Sequence, residues 1–118
     1  MKVERPWGCY TVLNEGAGFK VKLVEVLPYK KLSLQKHKCR SEHWVVVEGQ
    51  AQVANDGQTY CLKPNESIYI SKNSVHRLEN NEDTVLKIIE VQCGDYLEED
   101  DIERLEDEYQ RDSVERRA

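Results

Sequence analysis

Long apolar runs are missing from this sequence. The longest unbroken stretch is Trp44-Val45-Val46-Val47, far short of the roughly 20 residues that cross a bilayer as a helix, so neither a membrane span nor a membrane partner is expected. The amino terminus, Met1 to Trp7, carries Lys2, Glu4 and Arg5 and lacks the apolar core and small-residue cleavage site of a secretory signal; the expected location is the cytoplasm. Four cysteines are present, Cys9, Cys39, Cys61 and Cys93, but no C-x-x-C pair. That spacing excludes a zinc ribbon and a thioredoxin-like redox motif, and the thiols are read as reduced and structural. Basic charge is also short. Lys and Arg number 17 against 22 Asp and Glu, for a net charge of −5. Residues 1–97 hold 13 basic and 12 acidic side chains, and residues 98–118 hold 4 and 10. A near-neutral body with an acidic tail offers no phosphate-neutralising face, which excludes nucleic acid as a partner.

What is present, in 118 residues and 13.8 kDa, is one domain's worth of chain. Short apolar or alternating runs recur every eight to twelve residues or so, the pattern of an all-β sandwich or barrel. Strands are expected at 8–13, 19–26, 31–37, 42–48, 50–54, 58–62, 67–70, 76–79 and 85–92. Asn55-Asp56-Gly57 predicts a hairpin turn because these residue types tolerate positive φ, and Pro64-Asn65 and Asn80 to Asp83 mark further turns. After Leu97 the pattern changes. Asp100 or Asp101 as a cap and Ile102, Leu105 and Tyr109 at spacings of three and four predict a short C-terminal α-helix. The domain is therefore read as a β-barrel over 1–97 with an acidic helix and tail over 98–118, frayed from Asp112 to Ala118.

The stretch from Leu32 to Gly49 carries the chemistry. Residues two apart on a strand share a face, so Gln35 points with His37, and Glu42 points with Trp44 and Val46. If Trp44 and Val46 face the core, a tight return after His37 brings imidazole and carboxylate together as metal ligands, with a second imidazole available from His76. An isolated His and Glu would more often be a buried ion pair; a mixed imidazole and carboxylate set is also what a metal site needs. Leu86, Ile88, Glu90 and Gln92 share one face, so an inward row turns from apolar to polar and predicts a polar cavity wall. Buried carboxylates there suit proton transfer, and a structural hydrogen-bond network is an equal reading. Tyr69 is expected to line the same cavity. Arg40, with Lys36 and Lys38, is read as a cationic rim that draws a phosphate. Arg77 and His43 fall on the opposite parity from His76 and Glu42; an ion pair or interface suits the first, a surface position the second. Cys39 is out of phase with His37 and is read as a bystander.

Gln35-x-His37, four residues, Glu42, six residues and Gly49, followed by His76-x-x-x-Asn80, resemble the two motifs of the cupin superfamily. A narrower resemblance runs through Arg5-Pro6-Trp7-Gly8-x-Tyr10, Leu32-Ser33-Leu34-Gln35-x-His37-x-x-Arg40-x-Glu42-His43-Trp44, Asn65-Glu66-Ser67-x-Tyr69-Ile70, His76-Arg77-Leu78-Glu79-Asn80 and Ile89-Glu90-Val91-Gln92-x-Gly94-x-Tyr96-Leu97. These segments look like the type II mannose-6-phosphate isomerase cupin, a domain often found behind a mannose-1-phosphate guanylyltransferase domain and here read as standing alone. Pro28-Tyr29 and Ser71 depart from the family's usual Pro-Gly and Pro.

The resemblance implies a double-stranded β-helix, a jelly-roll barrel, holding one divalent metal ion per subunit (Zn, Mn, Co, Ni or Fe) on Gln35, His37, Glu42 and His76. Gln35 would bind through its amide oxygen or hydrogen-bond a sugar hydroxyl. The implied activity interconverts mannose 6-phosphate and fructose 6-phosphate, with a base moving a proton between C2 and C1 beside a polarising cation. Arg40 would bind phosphate or stabilise the enediolate, Glu90 act as base, His43 stand as a further acid or base, and Lys36, Tyr69, Gln92 and Arg77 contact the phosphorylated hexose. Two other readings remain open: a non-haem iron oxygenase, since two His and one Glu form its ligand set, and a non-catalytic sugar-phosphate-binding cupin or accessory subunit of a guanylyltransferase. A homodimer is expected, because a jelly roll exposes sheet edges and Trp7 offers an apolar anchor to the barrel or to a second subunit.

Overall fold

Alternating residues become eleven antiparallel strands in the computed structural model, which describes residues 1–109. In chain order these are β1 (Lys2–Arg5), β2 (Gly8–Gly16), β3 (Phe19–Val26), β4 (Leu34–Lys36), β5 (Arg40–Glu48), β6 (Ala51–Asn55), β7 (Gln58–Leu62), β8 (Ser67–Ile70), β9 (His76–Glu79), β10 (Leu86–Gly94) and β11 (Glu103–Glu106). They form a six-stranded sheet ordered β1-β2-β3-β10-β5-β8 and a five-stranded sheet ordered β11-β4-β9-β6-β7. The fold is the expected jelly roll, with the inner faces of the two sheets opposed. Val24, Val26, Trp44, Val46, Leu86 and Ile88 from the first sheet meet Ala51, Val53 and Leu78 from the second. Burial of each large aliphatic side chain contributes on the order of 1.5–3 kcal/mol, and the period of two keeps all of them on one face. No helix long and apolar enough to cross a membrane occurs among the described residues.

The turns follow local chemistry. Asp56 and Gly57 both adopt positive φ, 49° and 83°, and join β6 to β7 with Asn55 opposite Gln58, the two-residue hairpin whose twist matches that of the strands. Gly49 has φ 87° after β5, and a Cβ there would lie 3.2 Å from the Leu86 Cα. Only glycine both takes that conformation and permits β10 to pass so closely.

The C-terminal helix is not formed among the described residues. Residues 103–106 are strand β11, pairing Glu103 with Lys36 and Arg104 with Gln35 on β4. A helix this short is marginal in water, whereas the open edge of β4 supplies hydrogen-bond partners and Arg77 fixes the strand by donating to the Glu106 carboxylate and carbonyl, each at 3.2 Å. Asp101 caps a different element, accepting the Lys38 and Cys39 N–H groups at 3.0 and 2.9 Å. The expected frayed segment from Asp112 lies outside the described residues. Trp7, read as an anchor to the barrel or to a second subunit, is 6% exposed and packed in the chain's own core.

Asn80 staples two crossings. Its Nδ2 donates to the Val26, Leu27 and Thr84 carbonyls at 3.0, 3.2 and 2.8 Å, and its Oδ1 accepts from the Glu82 N–H. Asn80→Ala should lower unfolding stability by about 2–3 kcal/mol, because buried carbonyls lose their donor. A urea midpoint unchanged from that of the parent chain would contradict this.

Candidate functional site

Strand parity builds the site. β5 turns Glu42, Trp44 and Val46 inward, and Gln35 on β4 stands opposite His76 on β9 in the five-stranded sheet. His37 lies one residue past β4, at the return into β5. The metal-ligating atoms of His37, Glu42 and His76 all lie within 4.8 Å of one another, and all three residues are buried.

Hydrogen bonds fix both histidines in one tautomer. His37 Nδ1 is 2.6 Å from the Asp101 carbonyl and His76 Nδ1 is 3.0 Å from the Ser74 carbonyl. A carbonyl only accepts, so each Nδ1 carries the proton and each Nε2 presents its lone pair, the arrangement of metal-bound imidazoles. Burial lowers both imidazoles, His37 to about 4, against the opposing pull of Glu42. Burial alone would raise the Glu42 carboxyl; Arg40 foremost, then His37 and His76, overcome it and hold it at about 2. Neutral imidazoles and an ionised carboxylate are the protonation states that coordination needs. The donor set therefore fits a divalent ion. Gln35 Nε2 donates to Ser33 Oγ at 2.9 Å, which leaves its Oε1 for a ligand.

Arg40 does not sit on a loop rim. It opens β5 with the parity of Glu42 and is buried beside it, Nε donating to Glu42 Oε2 at 2.7 Å and Nη2 lying 3.3 Å from His37 Nε2. Its Nη1 is buried without a partner. Trp44 Nε1 donates to the other Glu42 oxygen at 2.8 Å.

A cavity of about 100 Å³ opens onto this cluster, room for several water molecules. Glu90 lines it, and the inward row continues to the fully buried Gln92, whose Nε2 donates to Glu90 Oε2 at 2.6 Å while its Oε1 is unpartnered. Burial, then the charge of Glu42, raises Glu90 to about 7 against the pull of Lys22 and Arg40. The other expected contacts lie elsewhere. Tyr69 is half exposed and stacks on exposed His43, ring centroids 4.7 Å apart, across the β5–β8 pairing on the outer face. Lys36 faces Glu103 on β11 at 3.9 Å, Lys38 is exposed, and Arg77 is consumed by the Leu32 carbonyl and Glu106. None of these five lines the cavity, because each has the outward parity or sits in a turn. Asn80 holds carbonyls and orients no ligand.

Arg5, Tyr10, Lys22 and Glu99 line the cavity without having been singled out. The run Lys20, Lys22, Val24, Val26 already put Lys22 on the inward row. Glu99 and Asp101 gave no such signal, since their segment had the period of a helix.

The family model "Mannose-6-phosphate isomerase C-terminal" matches residues 1–107. Alginate biosynthesis protein AlgA of Pseudomonas aeruginosa is 54% identical over 110 residues, 93% of this chain and 23% of AlgA. Mannose-1-phosphate guanylyltransferase RfbM of Salmonella typhimurium is 48% identical over 105 residues, 89% of this chain and 22% of RfbM. Among solved structures, KdgF from Halomonas sp. superposes with a TM-score of 0.77 at 14% identity, covering 85% of this chain and 89% of KdgF, which speaks to the fold alone. The chain thus spans about a quarter of the curated relatives it matches, and RfbM and ManC of Salmonella typhimurium are both named mannose-1-phosphate guanylyltransferases. The expectation of a self-sufficient isomerase exchanging mannose 6-phosphate and fructose 6-phosphate is corrected by that coverage: what the relatives share with this chain is one region of larger biosynthetic proteins. By sequence, the chain belongs to the mannose-6-phosphate isomerase C-terminal family.

Proposed function

We propose that this chain is a sugar-phosphate-binding cupin that holds one divalent metal ion and serves a mannose-1-phosphate guanylyltransferase as an accessory module. The observation that carries the reading is the His37, Glu42 and His76 cluster opening on a cavity lined by both cations and carboxylates, in a domain whose relatives are several times its length. Imidazole and carboxylate donors suit Zn, Mn, Co, Ni or Fe. A bound ion supplies a positive centre for hydroxyl or carbonyl oxygens of a sugar. Trp44 and Arg40 hold the Glu42 carboxylate in place, and Asp101 and Ser74 hold the two imidazoles. Arg40 Nη1 is a buried, unspent donor for an anionic ligand, and protonated Glu90 can donate to a sugar hydroxyl that ionised Glu42 cannot serve.

Titration calorimetry on the metal-loaded chain should show stoichiometric binding of mannose 6-phosphate, and a coupled assay should show no fructose 6-phosphate formed. Sustained turnover would overturn the accessory reading. Changing His37 and His76 together to Ala should lower metal content by at least about tenfold, the loss that removing even an orienting partner of a ligand brings. Unchanged content by elemental analysis would remove the metal centre.

Glu90 also gives a pH signature. Its folded pKa of about 7 lies above the ordinary carboxyl value of 4.5, so its contribution to stability is full below pH 4.5 and is lost as pH rises through 7. Metal-free Glu90→Gln lacks that loss. Its melting temperature relative to the parent chain should therefore rise between pH 5 and 8 and level off above. A pH-independent difference would show that Glu90 is ionised throughout.

A further inference from the structure

The charges of the cavity are unequally spent. Lys22 is buried and its Nζ lies 2.6 Å from Glu99 Oε2; Arg40 is bonded to Glu42 at 2.7 Å. Each of these cations already holds a carboxylate, with only the Arg40 Nη1 beside the ligand cluster left without a partner. Arg5 also lines the cavity, yet among the described residues its one hydrogen bond is from Nη1 to the carbonyl of adjacent Glu4 at 2.9 Å. Its guanidinium carbon lies 5.4 Å from the centre of the Tyr10 ring, and Lys22 Nζ lies 4.0 Å from the centre of the same ring. The ring supports the guanidinium plane without using its N–H groups.

Backbone placement sets where this group acts. Arg5 ends β1 and pairs with Gly8 across the tight turn into β2, with Trp7 between them buried in the core. The turn therefore has little freedom to swing. Arg5, Tyr10 and Lys22 come from β1, β2 and β3, at one edge of the six-stranded sheet. His37, Glu42 and His76 come from β5, β9 and the β4–β5 return. One cavity thus joins a metal-ligating cluster to a separate edge where an arginine has unspent donors.

We propose that Arg5 anchors the phosphate of the bound sugar phosphate, with Tyr10 supporting its guanidinium, so that the sugar extends toward the His37, Glu42 and His76 cluster. The assignment rests on the sugar-phosphate reading of the cavity and replaces Lys36 and Arg77, which lie outside it. An arginine fork matches phosphate oxygens in paired hydrogen bonds, and Lys22, neutralised by Glu99, tunes the field without being the main contact.

The test compares three probes, mannose 6-phosphate, inorganic phosphate and mannose, on the metal-loaded chain by NMR titration. Arg5→Gln should weaken both phosphate probes about 10- to 100-fold, the loss of one charge-assisted pair of bonds, and leave mannose within about twofold. Arg5→Lys should recover part of the loss, because charge returns without the fork. Metal content and melting temperature of each variant establish that the barrel is intact. Equal weakening of mannose and mannose 6-phosphate, or a phosphate-specific loss in Lys22→Met with none in Arg5→Gln, would overturn the assignment while leaving the sugar-phosphate reading standing. Failure of the parent chain to bind any phosphate probe would overturn both.

Discussion

A carboxylate buried at the centre of a small barrel is the constraint around which the site is arranged. Removing the Glu42 carboxylate from water costs several kcal/mol in a protein interior, and it is kept there by Arg40 and Trp44, one on each oxygen. Those two partners come from the same strand at i−2 and i+2, so the alternation that buries Trp44 in the core also delivers its indole N–H and the Arg40 guanidinium to Glu42. The negative charge then organises its surroundings. It holds Arg40 cationic in spite of burial, and it helps push Glu90 upward. Two carboxyls in one cavity are thereby pushed in opposite directions from the ordinary carboxyl range, Glu42 down and Glu90 up.

The C-terminal segment completes what the two motifs begin. The Asp101 carbonyl fixes the tautomer of His37, and its carboxylate gathers the N–H groups of Lys38 and Cys39 in the return that presents that histidine. Glu99 binds Lys22 across the cavity, and β11 closes the edge of β4. The acidic character of this stretch serves these contacts, each made to a donor or cation of the body.

The same economy shapes the outer surface. His43 and Tyr69 stack outside the barrel, Lys36 and Arg77 reach the carboxylates of β11, and the polar residues adjacent in sequence to the ligands thus secure the strands that carry them. Adjacency along a strand separates function by face: Glu42 and His43, or His76 and Arg77, differ by one position and act on opposite sides of a sheet.

Alternation, turn residues and motif spacing by themselves determined the barrel, the hairpin at Asp56-Gly57 and the meeting of His37, Glu42 and His76, because strand period and positive φ are local properties. The inward row from Leu86 to Gln92 was legible for the same reason. Tertiary structure alone decided three matters. The segment 103–106 has helical spacing but became a strand, since the free edge of β4 and the Arg77 side chain outweigh the weak propensity of a short helix. Arg40 moved from an expected rim into the cavity because β5 begins at that residue, two positions earlier than the apolar alternation marked. Arg5, Lys22 and Glu99 converge on the cavity from parts of the chain nearly a hundred residues apart, and no spacing in a sequence encodes a meeting that depends on the closure of one sheet over another.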